Sequence, residues 1–289
     1  MNRLALLALA SSFSLLVACG GSPASPVDDS TPSGGSGSGT ETAGPGTGPQ
    51  VTLSLRGITT PVAHADGFAS QTPIRQTVAI KSFWLYKTAT DPSPLLVADL
   101  GAASVPTDLV SGKSNDITTV ALKTMPAGTY TIAKVGVAYV SYRIAARMHN
   151  GVATDGRYDN VEALSDGAVV DGQPRNKGWF RSTFGIGDTT YGTYEGKDAP
   201  LPQLPSSGGM TLETSGAESF YVFPVNVTID PTETKDQRVV CKVNVHESFR
   251  WQDQATTAYA SGVFDTTPTT YEPVMSFGAS AFDLFLEPK

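Results

Sequence analysis

The chain is poor in the residues that most often carry chemistry. Its 289 residues include two cysteines, Cys19 and Cys241, and three histidines, His64, His149 and His246. Basic runs are absent, and 20 Lys and Arg against 27 Asp and Glu give a net charge of −7. That balance lacks the electrostatic footprint of a nucleic-acid binder. No Gly-x-Ser-x-Gly elbow and no His-Glu-x-x-His zinc helix occurs. A Ser-His-Asp hydrolase would have to recruit one of three histidines. No window shows a helical period and no fixed-period repeat is visible, which excludes helical bundles and solenoids.

The N-terminus is the most informative segment. Met1-Asn2-Arg3 places one positive charge before an apolar stretch from Leu4 to Val17, broken by Ser11, Ser12 and Ser14. These are the charged and hydrophobic regions of a secretory signal. The stretch falls short of the ~20 apolar residues of a spanning helix. It ends in Leu16-Val17-Ala18-Cys19-Gly20. This run resembles the bacterial lipobox, with Leu at −3, small residues before the cut and Cys at +1. The resemblance covers residues 1–20. It implies cleavage after Ala18, a diacylglycerol thioether on Cys19 and acylation of the new amino terminus. The expected partner is therefore a membrane, reached through lipid on Cys19. Each buried methylene contributes about 0.8 kcal/mol, so two or three chains anchor durably where one does not. Residue 20 is Gly rather than Asp, which in lipoproteins of two-membrane bacteria favours the outer membrane.

Removing residues 1–18 removes Arg3 and takes the net charge from −7 to −8. With Cys19 lipidated, only Cys241 remains, so no internal disulfide framework exists. Residues 20–49 are Gly, Ser, Thr and Pro almost throughout, with Val27 the only large aliphatic. Such a segment buries too little to offset its ordering entropy and is expected to be disordered. As a flexible coil it would reach about 30 Å. The expected organisation is a signal peptide at 1–18, a lipidated tether at 19–49 and a β-domain at 50–289. Two small units at 50–150 and 151–289 are the alternative.

From Val51 onward the pattern is strand-like. Val51, Leu53 and Leu55 alternate with polar residues, as do Val239, Cys241, Val243 and Val245, and Tyr221 to Ile229 at odd positions. Pro224 falls on the other face, which predicts an edge strand or a bulge there. Between Tyr130 and His149 the phase changes. Val135, Val137 and Tyr139 are apolar at odd positions, then Val140, Tyr142 and Ile144 at even ones. A change of face without a turn predicts a β-bulge or a strand that crosses between sheets. Residues 150–218 are polar and Gly-rich, with apolar islands at Val169-Val170 and Trp179-Phe180, and are expected to form long loops with a few short strands. The fold class expected is all-β, an antiparallel β-sandwich of prealbumin or immunoglobulin type.

A second resemblance supports that class. Ala79–Lys87, Asp99–Leu109 and Met125-Pro126-Ala127-Gly128-Thr129-Tyr130-Thr131 look like prealbumin-type β-sandwich modules of exported bacterial proteins. The likeness covers residues 51–147. It implies a sandwich and no particular activity, because that architecture hosts adhesion, carbohydrate binding and structural roles. Ser248–Asp253, Phe264-Asp265 and Tyr271-Glu272-Pro273 look like the ending of uncharacterised exported lipoproteins.

Candidate chemistry is sparse. His246 and Glu247 are adjacent, which on a strand sends them to opposite faces. Cys241 shares the apolar face of its strand and reads as a small buried hydrophobe. Asp155, Asp159 and Glu162 lie in an acidic, Gly-containing segment that suggests a calcium site. The spacing does not match an EF-hand, and solvated loop acids are the commoner explanation. Trp179, Tyr191, Tyr194 and Trp251 are candidates for stacking on sugar rings. The leading expectation is a lipid-anchored, non-enzymatic binding or structural β-module without a cofactor, meeting a glycan or protein partner. A carbohydrate-active enzyme with unpaired carboxylates and a calcium-stabilised adhesive domain are the alternatives.

Overall fold

A computed structural model describes residues 48–199, 201–202, 204, 209–254, 256 and 259–289. The expected signal peptide at 1–18, Cys19 and the tether up to residue 47 lie outside the described residues. The first half carries β1 (Gln50–Ile58), β2 (Ala69–Gln71), β3 (Arg75–Tyr86), β4 (Leu95–Asp99), β5 (Val105–Asp108), β6 (Ser114–Ala121) and the long β7 (Gly128–Asn150). Then follow β8 (Val152–Ala163), β9 (Ala168–Val170), β10 (Gln173–Arg175), β11 (Phe180–Ile186), β12 (Thr189–Gly196) and β13 (Thr211–Ser215). The C-terminal part holds β14 (Glu218–Ile229), β15 (Gln237–Asn244), β16 (Phe249–Trp251), β17 (Asp265–Thr266), β18 (Val274–Ser276) and β19 (Ala281–Pro288). A single 3-10 turn, Leu122–Thr124, is the only helical piece among the described residues.

The fold is an all-β sandwich of mainly antiparallel strands. One sheet runs β19-β15-β1-β6, with β1 and β15 parallel and the other pairs antiparallel. The larger sheet follows β12-β11-β8-β7-β14-β13, with β3 on the other edge of β7 and β4 and β5 beyond it. Period-two patterning puts Val51, Leu53, Leu55, Val239, Cys241 and Val243 on the inner face of the first sheet. They pack against Val78, Ile80, Val135, Val137, Tyr221 and Phe223 of the second, and removing these faces from water drives the two layers together. Both sheets mix strands from residues 50–150 and 151–289.

The phase change in β7 has a structural cause. Ala79 pairs with Tyr139 and Ile80 with Val137, so Ala138 is an extra residue in the ladder. At the same place the neighbour on the opposite edge changes, from β14 (paired up to Val137) to β8 (paired from Tyr139). Ser165 closes the seam. Its hydroxyl donates to Val137 O at 2.7 Å and accepts the Ser219 N–H at 3.1 Å. Pro224 lies past the end of the β13 ladder, and the register of β14 on β7 shifts between Pro224 and Val227. A residue without an N–H is accommodated at such an interruption.

The loop reading of 150–218 is corrected. Strands β8, β11 and β12 extend the large sheet through this segment. Their side chains are mostly polar because β12 is an exposed edge and the pairs are cross-strand ion pairs rather than apolar contacts. Polarity there reflects position in the sheet, not absence of a strand.

Gly57 in β1 faces the backbone of Leu109, and a β-carbon there would run into the Leu109 carbonyl. Leu109 is buried and its N–H is held by Gln76 O at 2.8 Å, so it has nowhere to go. Gly57→Ala should cost about 1–3 kcal/mol, read as a lower urea midpoint. Gly192→Ala, with nothing within 4 Å of the added methyl, should leave the midpoint unchanged. Equal midpoints for the two variants would contradict the close approach.

Candidate functional site

The inner faces of β8, β11 and β12 are arranged in three cross-strand rows. Tyr158, Phe184 and Gly192 form one, Asn160, Ser182 and Tyr194 the next, and Glu162, Phe180 and Gly196 the third. Gly192, with nothing within 4 Å of an added β-carbon, leaves a hollow along the edge strand, whereas the Phe180 ring covers Gly196. The β12 register slips between Gly192 and Thr190, leaving Tyr191 in the bulge. Tyr191 is 65% and Tyr194 62% exposed. Opposite them the 266–271 loop brings in Tyr271, whose ring lies 6.2 Å from that of Tyr158. The result is a groove of about 910 Å³.

Aromatic rings, the aliphatic Met148, Val152 and Ile186 and the hydroxyls of the 266–270 loop line it, and no Asp, Glu, Lys, Arg or His does so among the described residues. The floor is pinned by a hydrogen-bond chain. The Tyr158 hydroxyl meets Ser182 Oγ at 2.8 Å. Ser182 donates to Asn160 Oδ1 at 3.1 Å, and Asn160 Nδ2 donates to the Tyr142 hydroxyl at 3.1 Å. Ser182 spends its one proton on Asn160, so Tyr158 is the donor to Ser182. Burial raises the Tyr158 and Tyr142 phenols above their ordinary value, so both stay neutral.

The loop that forms the far wall is held by buried acids. Asp265 is fully buried. Its carboxylate meets His149 Nε2 at 2.6 Å and accepts the Ala260 N–H at 3.1 Å. Its own N–H donates to Glu272 Oε2 at 2.8 Å, and Glu272 Oε1 accepts the Gln254 N–H. His149 also lies against the Tyr259 ring at 4.8 Å. This is the latch that seats Thr266 and Tyr271. No serine or cysteine bonds to His149 among the described residues, so the His–Asp pair lacks the nucleophile of a triad.

Of the aromatic residues expected to converge, only Tyr191 and Tyr194 do. Trp251 is fully buried between Phe249 and Phe264, at 5.7 and 5.8 Å. Trp179 is buried on the outer face of β7 and β8, against Ala138, Val161 and Val170, with the Arg175 guanidinium 4.1 Å from its ring. Both are structural, because each packs on one side of the large sheet away from the groove. Tyr271 and the threonines of 266–270 were not expected. Their one legible signal was the Thr-Thr-Pro-Thr-Thr-Tyr run itself.

The acids do not converge either. Asp155 pairs with Arg147 at 2.6 Å, and Asp159 with Arg143 at 2.5 Å and Arg157 at 3.1 Å. Each acid sits directly across the β7–β8 ladder from its arginine. Glu162 points to the opposite face and is buried. Three residues on two faces cannot share a calcium ion. Cys241 is buried, and burial pushes its thiol up to about 12, which leaves it inert as a nucleophile at neutral pH.

No protein-family model, curated protein or solved structure matches this chain.

Glu162 nevertheless has a measurable signature. Its Oε1 has no hydrogen-bond partner among the described residues, and burial raises its carboxyl from 4.5 to about 8. Between those two values the folded chain holds a proton that the unfolded chain has released. Stability is therefore full below the unfolded value and falls as pH rises towards 8, by at most ~1.4 kcal/mol per pH unit. Glu162→Gln should flatten that slope and raise the melting temperature at pH 8 relative to the parent. Unchanged slopes between pH 5 and 8 would show that the carboxyl is ionised or solvated in the fold.

Proposed function

We propose that the chain is a non-catalytic binding module, exported and held by lipid on Cys19, that takes a neutral, hydroxyl-rich ligand such as a glycan in the β8–β11–β12 groove. The groove carries the reading. Exposed Tyr191, Tyr194 and Tyr271 offer flat apolar faces with polar rims, which suit the faces of pyranose rings. Threonine hydroxyls beside them can exchange hydrogen bonds with sugar hydroxyls. A lining without fixed charge favours an uncharged ligand.

Catalysis in the same groove is the weaker reading. Glycoside hydrolysis commonly uses two carboxyl groups flanking the scissile bond, about 5–10 Å apart. None lines the groove among the described residues.

Tyr191→Ala combined with Tyr194→Ala should weaken binding to neutral polysaccharide by at least ~10-fold, or about 1.4 kcal/mol, in affinity electrophoresis, with an unchanged melting temperature. Trp179→Phe should leave binding unchanged. Equal retardation of the parent and the double variant by every neutral polysaccharide tried would reject the groove as the glycan site. The anchor is tested separately. Cys19→Ser should abolish incorporation of labelled palmitate and release the protein from the membrane fraction, and retention with label would overturn the lipid assignment.

A further inference from the structure

A second cluster lies away from the groove. His64, His246 and Glu247 each offer a ligand atom, and these atoms lie within 4.8 Å of one another. His64 belongs to the segment between β1 and β2, and the other two to the turn after β15. That turn brings the adjacent pair together. β15 ends at Asn244, Ser248 N–H bonds back to Val245 O at 3.3 Å, and Glu247 has φ of 49°. The left-handed conformation turns the Glu247 carboxylate towards the histidines instead of to the opposite face of a strand.

The decisive observation is His64. Its side chain is 8% exposed, and its Nε2 is buried without a hydrogen-bond partner among the described residues. The Glu247 carboxylate faces it, with Oε2 at 4.0 Å. That is too long for a hydrogen bond and close to the span between two ligands of one ion. Tetrahedral zinc with bonds near 2.0–2.1 Å separates its ligand atoms by about 3.3 Å.

The surroundings are prepared for a cation. The His246 N–H donates to Asn244 Oδ1 at 3.0 Å, and the Glu247 N–H to Thr72 Oγ1 at 2.9 Å. Ser280 Oγ donates to His246 O at 2.6 Å. Asn244 Nδ2 donates to Thr60 O at 2.8 Å and ties down the His64 segment. The bond from Val62 N–H to His246 Nδ1 is long, at 3.4 Å, so little is lost when that ring turns to an ion. The neighbouring Arg250 is neutralised by Asp66, through Nε to Oδ2 at 3.0 Å and a second bond from Nη2 to Oδ1.

We propose that His64, His246 and Glu247 bind a divalent transition-metal ion of the zinc class, clamping the β1–β2 segment to the turn after β15. Two imidazoles and one carboxylate are a borderline-soft set suited to zinc, and three protein ligands leave a fourth position for water. The ion joins residues 64 and 246, which the chain keeps far apart, and so stabilises the fold that brings them together.

The test uses the full chain in detergent, stripped with chelator and titrated with Co²⁺ and then Zn²⁺. One Co²⁺ per chain should give visible d–d bands typical of nitrogen and oxygen ligands. Zn²⁺ should displace it and raise the melting temperature. Glu247→Gln and His246→Gln should each weaken binding by more than the ~10–100-fold expected from losing a supporting contact. Both should keep the metal-free melting temperature and their polysaccharide binding, which separates this site from the groove. His64→Ala should behave alike if it folds, and the other two variants decide if it does not. His149→Ala should bind Co²⁺ as the parent does. No stoichiometric binding, equal affinity in the Glu247 and His246 variants, or a thiolate charge-transfer band would overturn the assignment.

Discussion

Strand β7 is the constraint on which the remaining structure depends. It runs for 23 residues and belongs to two neighbourhoods. Its first half pairs with β14 and faces the core between the sheets, and its second half pairs with β8. The extra residue at Ala138 moves the buried positions from odd to even numbers. A regular strand would have sent Tyr142 and Ile144 outward. Because of the bulge they point inward, and Tyr142 joins Phe249 and Phe277 at 5.2 and 5.3 Å. That aromatic assembly, continued by Trp251, Phe264 and Tyr158, binds the C-terminal segment to the large sheet. The groove stands where the assembly reaches the surface at Tyr271.

The two candidate sites arise from different devices. The groove forms where the edge strand carries Gly192, open above its Cα, beside the Tyr191 bulge. The histidine cluster is a product of irregularity, since it needs a strand to stop and one residue to enter the left-handed region. The buried Asp265 and Glu272 serve neither site chemically. They satisfy backbone N–H groups in a segment with little regular structure, where an unpaired donor would cost about 1–3 kcal/mol.

Much of the fold was legible in the residues. Alternation located β1, β7, β14 and β15, and the phase change located the bulge in β7. What alternation could not reveal was β8, β11 and β12, where arginines and acids replace the apolar face. Local sequence also misplaced Trp179 and Trp251, because an aromatic in a polar stretch looks exposed until the neighbouring strand covers it. Asp155 and Asp159 looked like free acids because Arg147 and Arg143 belong to the preceding strand. For the histidine cluster the obstacle was different. The Val239–Val245 alternation hid the end of β15 just before His246, and nothing in the local sequence announces that His64 arrives beside it.

The parallel pairing of β1 with β15 has a consequence in time as well as in space. Residues 51–58 can pair with β6 at 114–121, but their other edge stays open until residues 237–244 exist. The smaller sheet, with Val51, Leu53 and Leu55 on its inner face, therefore stays incomplete until β15 and β19 are available. Pairing at such sequence separation is slow, because the entropy of closing the loop is spent before contacts return it. A chain built this way closes its smaller sheet only when almost the last residue is available.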